Sequence, residues 1–567
     1  YQYSTLSKEG KHIRLLDLSP GAFSENLHIE LRQVSLEKKS LYFEALSYVW
    51  GSPINPSFIT IGSERNSVIL VTQNLAIALR HLRYTDKIRT LWVDAACINQ
   101  RDTAERSTQV SIMSDIYQMA THVIVWLGPD ENDSCYALQT MASIGSKVEV
   151  NWISYAMKPS VDIDGNQSES LDILQSSLNQ DTLIRALDHL FHRPWFERLW
   201  VRQEIGLANE AVIACGQLVV PWKKFKNAIF AIQMESARLE RLLGSRGKYF
   251  SQRVKLVYTV CDHKFYLLDH LRPEISQIRC SDQRDRIYGM LSLLHPSHQK
   301  MGILPNYSLS VPQVYQDTTL RFIEYWKSLA ILFQCELQDP SSKMPTWVPD
   351  WSSEPLANPI SGVPSNASGY LEAIARYKGK GVLSVVGLYV ESIAQVQPLQ
   401  FGDNIAEFQA MVKKLWRTMC GENEKPRHFR GRSSSWTMCD TICCGLFRHT
   451  TSPMRTDYPV FEDCVQLLEF ILTVEPEELY AWEYSSSWES YTRQVEEVCQ
   501  NRSFFIITQG SIGLAPLSAR PGDEICVLLG CDSTMLLRPT GGGYHQVVGQ
   551  SYMTGANTGD ALLGPLP

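Results

Sequence analysis

The sequence has no long hydrophobic run and no excess of basic residues. Its longest apolar stretches, such as Val123–Leu127, have the length of a strand rather than the roughly 20 residues of a membrane-spanning helix. The formal net charge of −7 argues against a nucleic-acid-binding protein, because such proteins usually carry a strongly basic face. We therefore expect no membrane span and no nucleic-acid partner.

Cysteine is also too sparse for a disulfide scaffold. The 14 cysteines are scattered among 567 residues. Residues 1–30 mix charged side chains, including Lys8, Glu9 and Arg14, with apolar ones, which is not the pattern of a secretory signal peptide. We expect reduced thiols and a cytoplasmic protein, because disulfide frameworks are a feature of secreted chains.

Internal repeats and long low-complexity tracts are absent as well, so several globular domains or one large elaborated unit are expected. Residues 131–180 are polar and irregular, and residues 350–370 are rich in Pro, Ser, Asn and Gly. The predicted organisation is a lead-in segment (1–40), an α/β domain (41–222) with an insertion near 131–180, a mostly helical middle region (223–370), a mixed region (371–500) with a mobile loop near 421–436, and a small β-rich module (501–567).

The α/β prediction rests on residues 41–130, where strand and helix patterns alternate. Ala45–Trp50, Leu91–Ala95 and Val123–Leu127 are short apolar runs typical of strands. Between the last two, Asp102 and Glu105 have the spacing of a capping box at the start of a helix. This alternation favours a parallel sheet flanked by helices.

The last 65 or so residues have a different pattern, in which short β runs alternate with Gly and Pro turns. The runs are Phe504–Thr508, Glu524–Leu529, Met535–Arg538 and Tyr544–Val548. Together they predict a small antiparallel barrel or sandwich.

Several segments carry a resemblance to a known family. Three of them are Glu44-Ala45-Leu46-Ser47-Tyr48-Val49-Trp50-Gly51, Leu91-Trp92-Val93-Asp94-Ala95-Ala96-Cys97-Ile98-Asn99-Gln100 and Val125-Trp126-Leu127-Gly128. Their order and spacing resemble those of fungal heterokaryon-incompatibility (HET) domains, and residues 193–204 resemble the end of the same domain. Downstream segments, such as Asp285-Arg286-Ile287-Tyr288, are similar to long family members. The tail departs from the family, which often has a His-Gly pair near the position of Thr554-Gly555.

The resemblance implies a role in fungal allorecognition and programmed cell death. HET domains are distantly similar to TIR domains, which have a flavodoxin-like sheet, and some TIR domains cleave NAD at the nicotinamide–ribose bond while others only assemble and signal. One implied alternative is therefore a latent NAD-cleaving hydrolase with NAD as substrate and no tightly bound cofactor. The other is a non-enzymatic module that acts as a homo-oligomer or through an unidentified partner. An enzyme using the same site on another small molecule is a weaker third.

Glu204 is the candidate catalytic residue. The segment from Trp200 to Ile205 resembles the helix of TIR NADases that carries a glutamate, and we predict a helix over Phe196–Leu207 with Trp200 beside the substrate. A carboxylate suits this chemistry because loss of nicotinamide leaves an oxocarbenium-like ribose, which a fixed negative charge stabilises. Alternatively, Glu204 pairs with Arg198, Arg202 or a buried backbone donor and only holds its helix in place.

Asp94, Asn99 and Gln100 follow the second predicted strand. Polar groups at the carboxyl end of a parallel strand line the crevice where α/β sheets bind ligands. Asp94 could accept hydrogen bonds from ribose hydroxyls, and Asn99 could donate or accept them. The structural alternative is that these side chains bond their own backbone in a turn.

Ser47, Tyr48, Trp50 and Gly51 end the first predicted strand. A glycine at this place allows a ligand to approach the backbone, and the ring of Tyr48 or Trp50 could stack on nicotinamide or adenine. Packing of the aromatic rings against the core is the alternative.

The cysteines do not predict a site. Cys97 is at the same sheet edge, but no histidine is placed by the sequence to activate it, so a buried inert thiol is expected. Cys439, Cys443, Cys444 and His449 form the densest Cys/His group, and their spacing is not that of a standard zinc site even with Cys420 added. We predict no metal.

Overall fold

The computed structural model divides the chain into two compact units. Unit 1 comprises Tyr1–Tyr266 and Ile278–Ser310, and unit 2 comprises Leu267–Gln277 and Val311–Pro567. Within the described ranges, no helix is both long and apolar enough to cross a membrane. The described residues are 1–7, 9–38, 41–62, 67–160, 180–262, 264–337, 344–357, 359–360, 365–401, 404–421, 432–450, 458–479 and 486–564.

Unit 1 is built on a nine-stranded sheet of order β11-β10-β7-β3-β6-β1-β2-β4-β5. A separate hairpin, β8–β9, lies within the predicted insertion, of which residues 161–179 are outside the described residues. The strands are β1 His12–Leu18, β2 His28–Ser35, β3 Glu44–Tyr48, β4 Ser57–Ile61, β5 Ser67–Val71, β6 Arg89–Trp92, β7 His122–Gly128, β8 Val148–Asn151, β9 Ala156–Pro159, β10 Ala211–Cys215 and β11 Leu218–Pro221.

The centre of this sheet is parallel, as the sequence predicts. β6, β3, β7 and β10 lie side by side and run in the same direction. Numbered along the chain, these four strands have the order 2-1-3-4, which is the order of the first four strands of a flavodoxin-like sheet. A fifth parallel strand does not follow, because β11 pairs antiparallel with β10 as a hairpin.

Residues 1–40 are more than a lead-in, because they contribute two strands to the sheet. β1 pairs antiparallel with β6, with Leu16 opposite Leu91, and β2 pairs antiparallel with β1. Ile13, Leu15 and Leu16 are fully buried, so the burial of β1 stabilises its place beside the parallel strands.

Many helices of unit 1 contribute buried residues to two hydrophobic clusters that also contain residues of the sheet. Asp102 caps its helix as predicted, with its carboxylate accepting from the backbone N–H groups of Ala104 and Glu105. The helices are Gln73–Leu82, Asp94–Cys97, Thr103–Ser111, Met113–Met119, Ser134–Ser146, Asp181–Phe191, Val201–Gly206, Trp222–Met234, Ser236–Leu243, Gly247–Cys261, Asp285–Tyr288 and Pro296–Gln299, with 3-10 turns at Pro194–Glu197, Gly244–Arg246 and Leu291–Leu293.

The predicted continuous helix over Phe196–Leu207 is wrong, because the segment is broken in the middle. Arg198 has extended backbone angles and forms a β-bridge with Arg279, and the Leu199 N–H donates to the Arg279 carbonyl at 3.1 Å. A long-range backbone pairing therefore replaces the helical hydrogen bonds at this point, and only Val201–Gly206 remains α-helical.

Unit 2 combines helices with a seven-stranded antiparallel sheet of order β19-β18-β17-β14-β15-β16-β20. Its two outermost strands, β19 and β20, are separated in the chain only by Ser551. The strands of unit 2, including a separate β12–β13 hairpin, are β12 Ala375–Gly379, β13 Val382–Val385, β14 Gly387–Pro398, β15 Arg502–Ile507, β16 Ile512–Pro516, β17 Glu524–Leu528, β18 Met535–Gly541, β19 Tyr544–Gln550 and β20 Tyr552–Met553.

The C-terminal β-rich prediction is confirmed as an antiparallel sheet, but the last 65 or so residues do not form it alone. β14 is inserted between β17 and β15. The helices of unit 2 are Leu271–Ile275, Val311–Trp326, Ile405–Cys420, Ser434–Ile442, Phe461–Thr473, Pro476–Leu479 and Ser486–Cys499, with 3-10 turns at Leu268–His270, Ala330–Gln334 and Asp560–Leu563. In the predicted loop 421–436, residues 422–431 lie outside the described residues, and the helix Ser434–Ile442 begins before the loop was expected to end.

Candidate active site

The carboxyl ends of β3 and β6 bring the predicted residues to one edge of the sheet. β3 ends at Tyr48, and β6 ends two residues before Asp94. The predicted strand Leu91–Ala95 stops earlier than expected, because Asp94 opens a one-turn helix in which the Cys97 N–H donates to the Val93 carbonyl. This turn directs Asp94 toward β3, where Ser47 and Tyr48 lie.

Glu204 lies at the buried end of this group. Its side chain is 2% exposed, and the Ser47 hydroxyl donates a hydrogen bond to its Oε2. The same hydroxyl oxygen accepts a hydrogen bond of 2.8 Å from the indole N–H of Trp195. Burial raises the pKa of Glu204 to about 7, even though Arg198 and the Ser47 hydrogen bond favour the ionised form.

Arg198 interacts with two carboxylates, those of Glu204 and Asp94. One guanidinium nitrogen is 3.8 Å from Oε1 of Glu204, and another donates to the backbone carbonyl of Tyr48. Arg198 is also the strongest influence that keeps the pKa of Asp94 down, although burial outweighs it and raises that pKa. When both acids are ionised, the pair carries one more negative charge than Arg198 neutralises.

Asp94 links the buried group to the surface. Its Oδ2 accepts a 2.7 Å hydrogen bond from the indole of Trp50, and its Oδ1 accepts one of 2.7 Å from the Ala95 N–H. Burial, and next the Asp94 carboxylate, raise the pKa of Tyr48 well above its usual range. Trp50 is 39% exposed and Gly51 has a φ of +78° on the same exposed turn, so Asp94 is reached from solvent before Glu204.

Three predicted residues have other partners. Asn99 serves a turn, since its N–H donates to Glu105 at 2.7 Å and its amide oxygen accepts from the Arg101 N–H. The side chain of Gln100 donates to the Asp94 backbone carbonyl. The indole N–H of Trp200 donates a hydrogen bond of 3.0 Å to the Asp285 carboxylate rather than to Glu204.

Trp200 instead belongs to a second polar group in unit 1. Asp285 accepts hydrogen bonds from both the Trp200 indole and the Tyr307 hydroxyl, the latter at 2.5 Å. Burial raises the pKa of Asp285. This contact fixes the segment that precedes Glu204, so Trp200 orients the glutamate helix rather than lining the group around Glu204.

Comparison with known proteins bears on the same residues. Residues 43–204 match the family model described as Heterokaryon incompatibility protein (HET). These residues form a HET domain. The chain is 30% identical over 409 residues to heterokaryon incompatibility protein 6, OR allele, of Neurospora crassa. That alignment covers 62% of this chain and 59% of the relative, so the chain spans less than two thirds of the relative's length. No solved structure matches the chain.

The HET match contains the whole buried polar group, whose members are Ser47, Tyr48, Asp94, Tyr117, Trp195, Arg198 and Glu204. It begins one residue before Glu44, includes Ser47, Tyr48 and Asp94, and ends at Glu204. Residues that are far apart in the HET sequence thus converge at one edge of its parallel sheet, where α/β proteins generally bind ligands.

Two members of the group, Trp195 and Tyr117, were not predicted from the sequence, and Arg198 was predicted only as a partner of Glu204 in the structural alternative. Trp195 and Arg198 lie in the segment that resembles the end of a HET domain, but their direction depends on the backbone break described above. Tyr117 is fully buried, and burial followed by the charges of Glu204 and Asp94 raises its pKa well above the usual range. Its helical spacing in the sequence indicates only a core position.

Cys97 cannot serve as a nucleophile in this arrangement. It is fully buried, and burial raises its pKa to about 12. A thiol at that pKa is almost entirely protonated near neutral pH, whereas nucleophilic attack needs the thiolate.

Proposed function

We propose that this protein acts in heterokaryon incompatibility, the self/non-self recognition of fungi that ends in programmed cell death. The HET match over residues 43–204 and the similarity to the Neurospora heterokaryon incompatibility protein support this role. Because the chain spans only part of that relative, the role is carried here by the HET domain and its buried polar group.

The chemistry that we propose is hydrolysis of the nicotinamide–ribose bond of NAD. The bond between the ribose C1′ and the nicotinamide nitrogen breaks, and its electron pair leaves with nicotinamide. The Glu204 carboxylate stabilises the oxocarbenium-like sugar, and water then adds to C1′ and loses a proton. The observation that supports this most is the convergence of Glu204, Asp94 and Tyr48 at the carboxyl edge of the parallel strands.

Asp94 and Trp50 are assigned to the substrate's entry. The Asp94 carboxylate can accept hydrogen bonds from ribose hydroxyls in exchange for the one it accepts from Trp50. Trp50, released from that hydrogen bond and 39% exposed, offers an indole face for stacking on a base.

The resting chain is closed in this proposal. Glu204 is covered and pairs loosely with Arg198, and at a pKa of about 7 a large part of it is protonated near neutral pH. A protonated acid cannot stabilise a cation by charge. Movement that admits water or substrate lowers this pKa, because burial is its main cause, and so restores the catalytic charge.

A non-enzymatic module is the second candidate. The burial of Glu204 against Arg198 also favours a purely structural acid, in which case the HET domain acts by forming homo-oligomers or binding a protein trigger. An enzyme for another small molecule at the same group is the third and weaker alternative.

Expression in a fungal host separates the first two candidates. The full chain is expressed from an inducible promoter as wild type, as Glu204→Gln and as Glu210→Gln, the last being a control at an exposed glutamate of the same unit. The catalytic proposal predicts growth arrest with wild type and Glu210→Gln and none with Glu204→Gln at equal protein level. Growth arrest by all three would support the non-enzymatic module.

A further inference from the structure

Three cysteine side chains converge inside unit 2. The Sγ atoms of Cys439, Cys443 and Cys464 all lie within 4.8 Å of one another, and all three residues are fully buried. Cys439 and Cys443 are four residues apart at the end of the helix Ser434–Ile442, so they share one face. Cys464 comes from the neighbouring helix Phe461–Thr473.

This set differs from the one that the sequence singles out. Cys444 and His449 are next to Cys443 in the chain, but His449 stacks on Phe447 at the surface. Cys464 takes the third position instead, and it is 21 residues beyond Cys443. A spacing search limited to neighbouring residues therefore misses the group.

A second observation points to a ligand at the same place. Tyr491 is fully buried, and its hydroxyl finds no hydrogen-bond partner among the described residues. Tyr491 packs in the same hydrophobic cluster as Cys439, Cys443 and Cys464. A buried hydroxyl without a partner costs about 1–3 kcal/mol, and a bound ion with its ligands would give it one.

We propose that Cys439, Cys443 and Cys464 bind one thiophilic cation of the Zn²⁺ type, with the Tyr491 hydroxyl beside the fourth coordination position. Thiolate sulfur is the ligand that such cations prefer, and structural zinc sites have four ligands at tetrahedral positions. Among the residues that the structure describes, no fourth Cys, His, Asp or Glu ligand atom joins the three thiols. In the proposed site, the tyrosine oxygen or a ligand held by it takes that place.

The charge balance favours a divalent ion. Each thiol releases its proton to solvent as its sulfur binds the metal, so three thiolates and one Zn²⁺ leave a single negative charge. Cys464 lies in the first turn of a 13-residue helix, where the helix dipole stabilises negative charge. The metal links two helices of unit 2 and is therefore expected to be structural rather than catalytic.

The test measures zinc on the full chain, purified with reductant, stripped with a chelator and reloaded with Zn²⁺. Mass spectrometry of the metal is expected to give one zinc per wild-type chain and background levels for Cys464→Ser. Cys531→Ser is the matched control, because Cys531 is an equally buried cysteine of unit 2 outside the group, and it should keep the zinc. Tyr491→Phe should keep one zinc but bind it about 10- to 100-fold more weakly, as other changes next to metal ligands do.

Cobalt provides a measurement that needs no variant, so a misfolded Cys464→Ser chain would not leave the question open. Co²⁺ added to the stripped wild-type chain is expected to give the strong near-ultraviolet sulfur-to-metal absorption of thiolate ligands, and Zn²⁺ should abolish it. Equal zinc on wild type and Cys464→Ser, absence of the cobalt absorption, or oxidation of two of the three thiols to a disulfide without metal uptake would overturn the proposal.

Discussion

Glu204 is a carboxylate whose surroundings oppose its charge. Ser47 and Arg198 favour ionisation, but burial outweighs them and holds the pKa near 7. The same features suit either a latent catalytic acid or a buried structural one. The consequences for stability are the same in both cases, which makes them a check on the geometry itself.

The pH dependence of stability should report Glu204 directly. Its folded pKa of about 7 is raised above its ordinary value of 4.5, so the folded chain holds a proton that the unfolded chain has lost. The contribution of this group to the free energy of unfolding is about 3 kcal/mol. It is fully present below about pH 4.5, and it is lost as the pH rises through about 7. Glu204→Gln lacks this loss, so its melting temperature should rise relative to wild type across that window. Parallel melting curves would contradict the buried position.

Ser47 connects the acid to the core. Ser47→Ala leaves both Glu204 and the Trp195 indole without this partner, and we expect a loss of about 1–3 kcal/mol in the free energy of unfolding. Ser154→Ala removes an exposed hydroxyl of the same unit and serves as the control, with almost no change in chemical denaturation. Equal effects of the two substitutions would mean that the Ser47 hydrogen bonds are not formed.

At the scale of elements, one contact between two helices requires a glycine. The helix Ser134–Ser146 approaches the helix Trp222–Met234 so closely that a Cβ on Gly145 would lie 1.7 Å from the Lys224 backbone oxygen. Alanine usually stabilises a helix by about 1 kcal/mol relative to glycine. Here Gly145→Ala should instead destabilise unit 1 by about 1–3 kcal/mol, because backbone must move.

The control for Gly145→Ala is on the same helix. Ser143 is exposed, so Ser143→Ala changes helix propensity without a clash and should stabilise slightly. Thermal unfolding of the two variants should therefore shift in opposite directions. A shift of both to higher temperature would show that the helices are farther apart than described.

The elements also show what the sequence can and cannot predict. β3, β6 and β7 were predictable because their short apolar runs alternate with amphipathic helices, and this alternation places Ser47, Tyr48 and Asp94 at one edge. Arg198 was predictable only as a partner of Glu204, because its extended backbone depends on a pairing with Arg279 that no local pattern reveals. The capping box was half correct: Asp102 caps the helix, but the Glu105 side chain bonds the Asn99 N–H and Arg14 instead of closing the box.

At the scale of the whole molecule, unit 1 extends well past the predicted domain end at residue 222. Residues 223–266 and 278–310 belong to it, and they supply Asp285, which bonds Trp200 next to the glutamate helix. A fragment of residues 1–310 is therefore expected to unfold cooperatively, as followed by circular dichroism. A fragment of residues 1–222 should aggregate or lack a thermal transition, because the apolar face packed by the later helices is exposed. Equal melting of both fragments would contradict this boundary.

The most direct test of the catalytic account is nicotinamide release from NAD by the purified full chain over a range of protein concentrations. On the catalytic proposal, we expect the wild-type chain to release nicotinamide. Glu204→Gln should lower the release by about 10²- to 10³-fold, Asp94→Asn should weaken it, and Glu210→Gln should leave it unchanged. Absence of release by the wild-type chain at every concentration, or equal release by Glu204→Gln, would contradict the account and leave the HET domain as a non-enzymatic module.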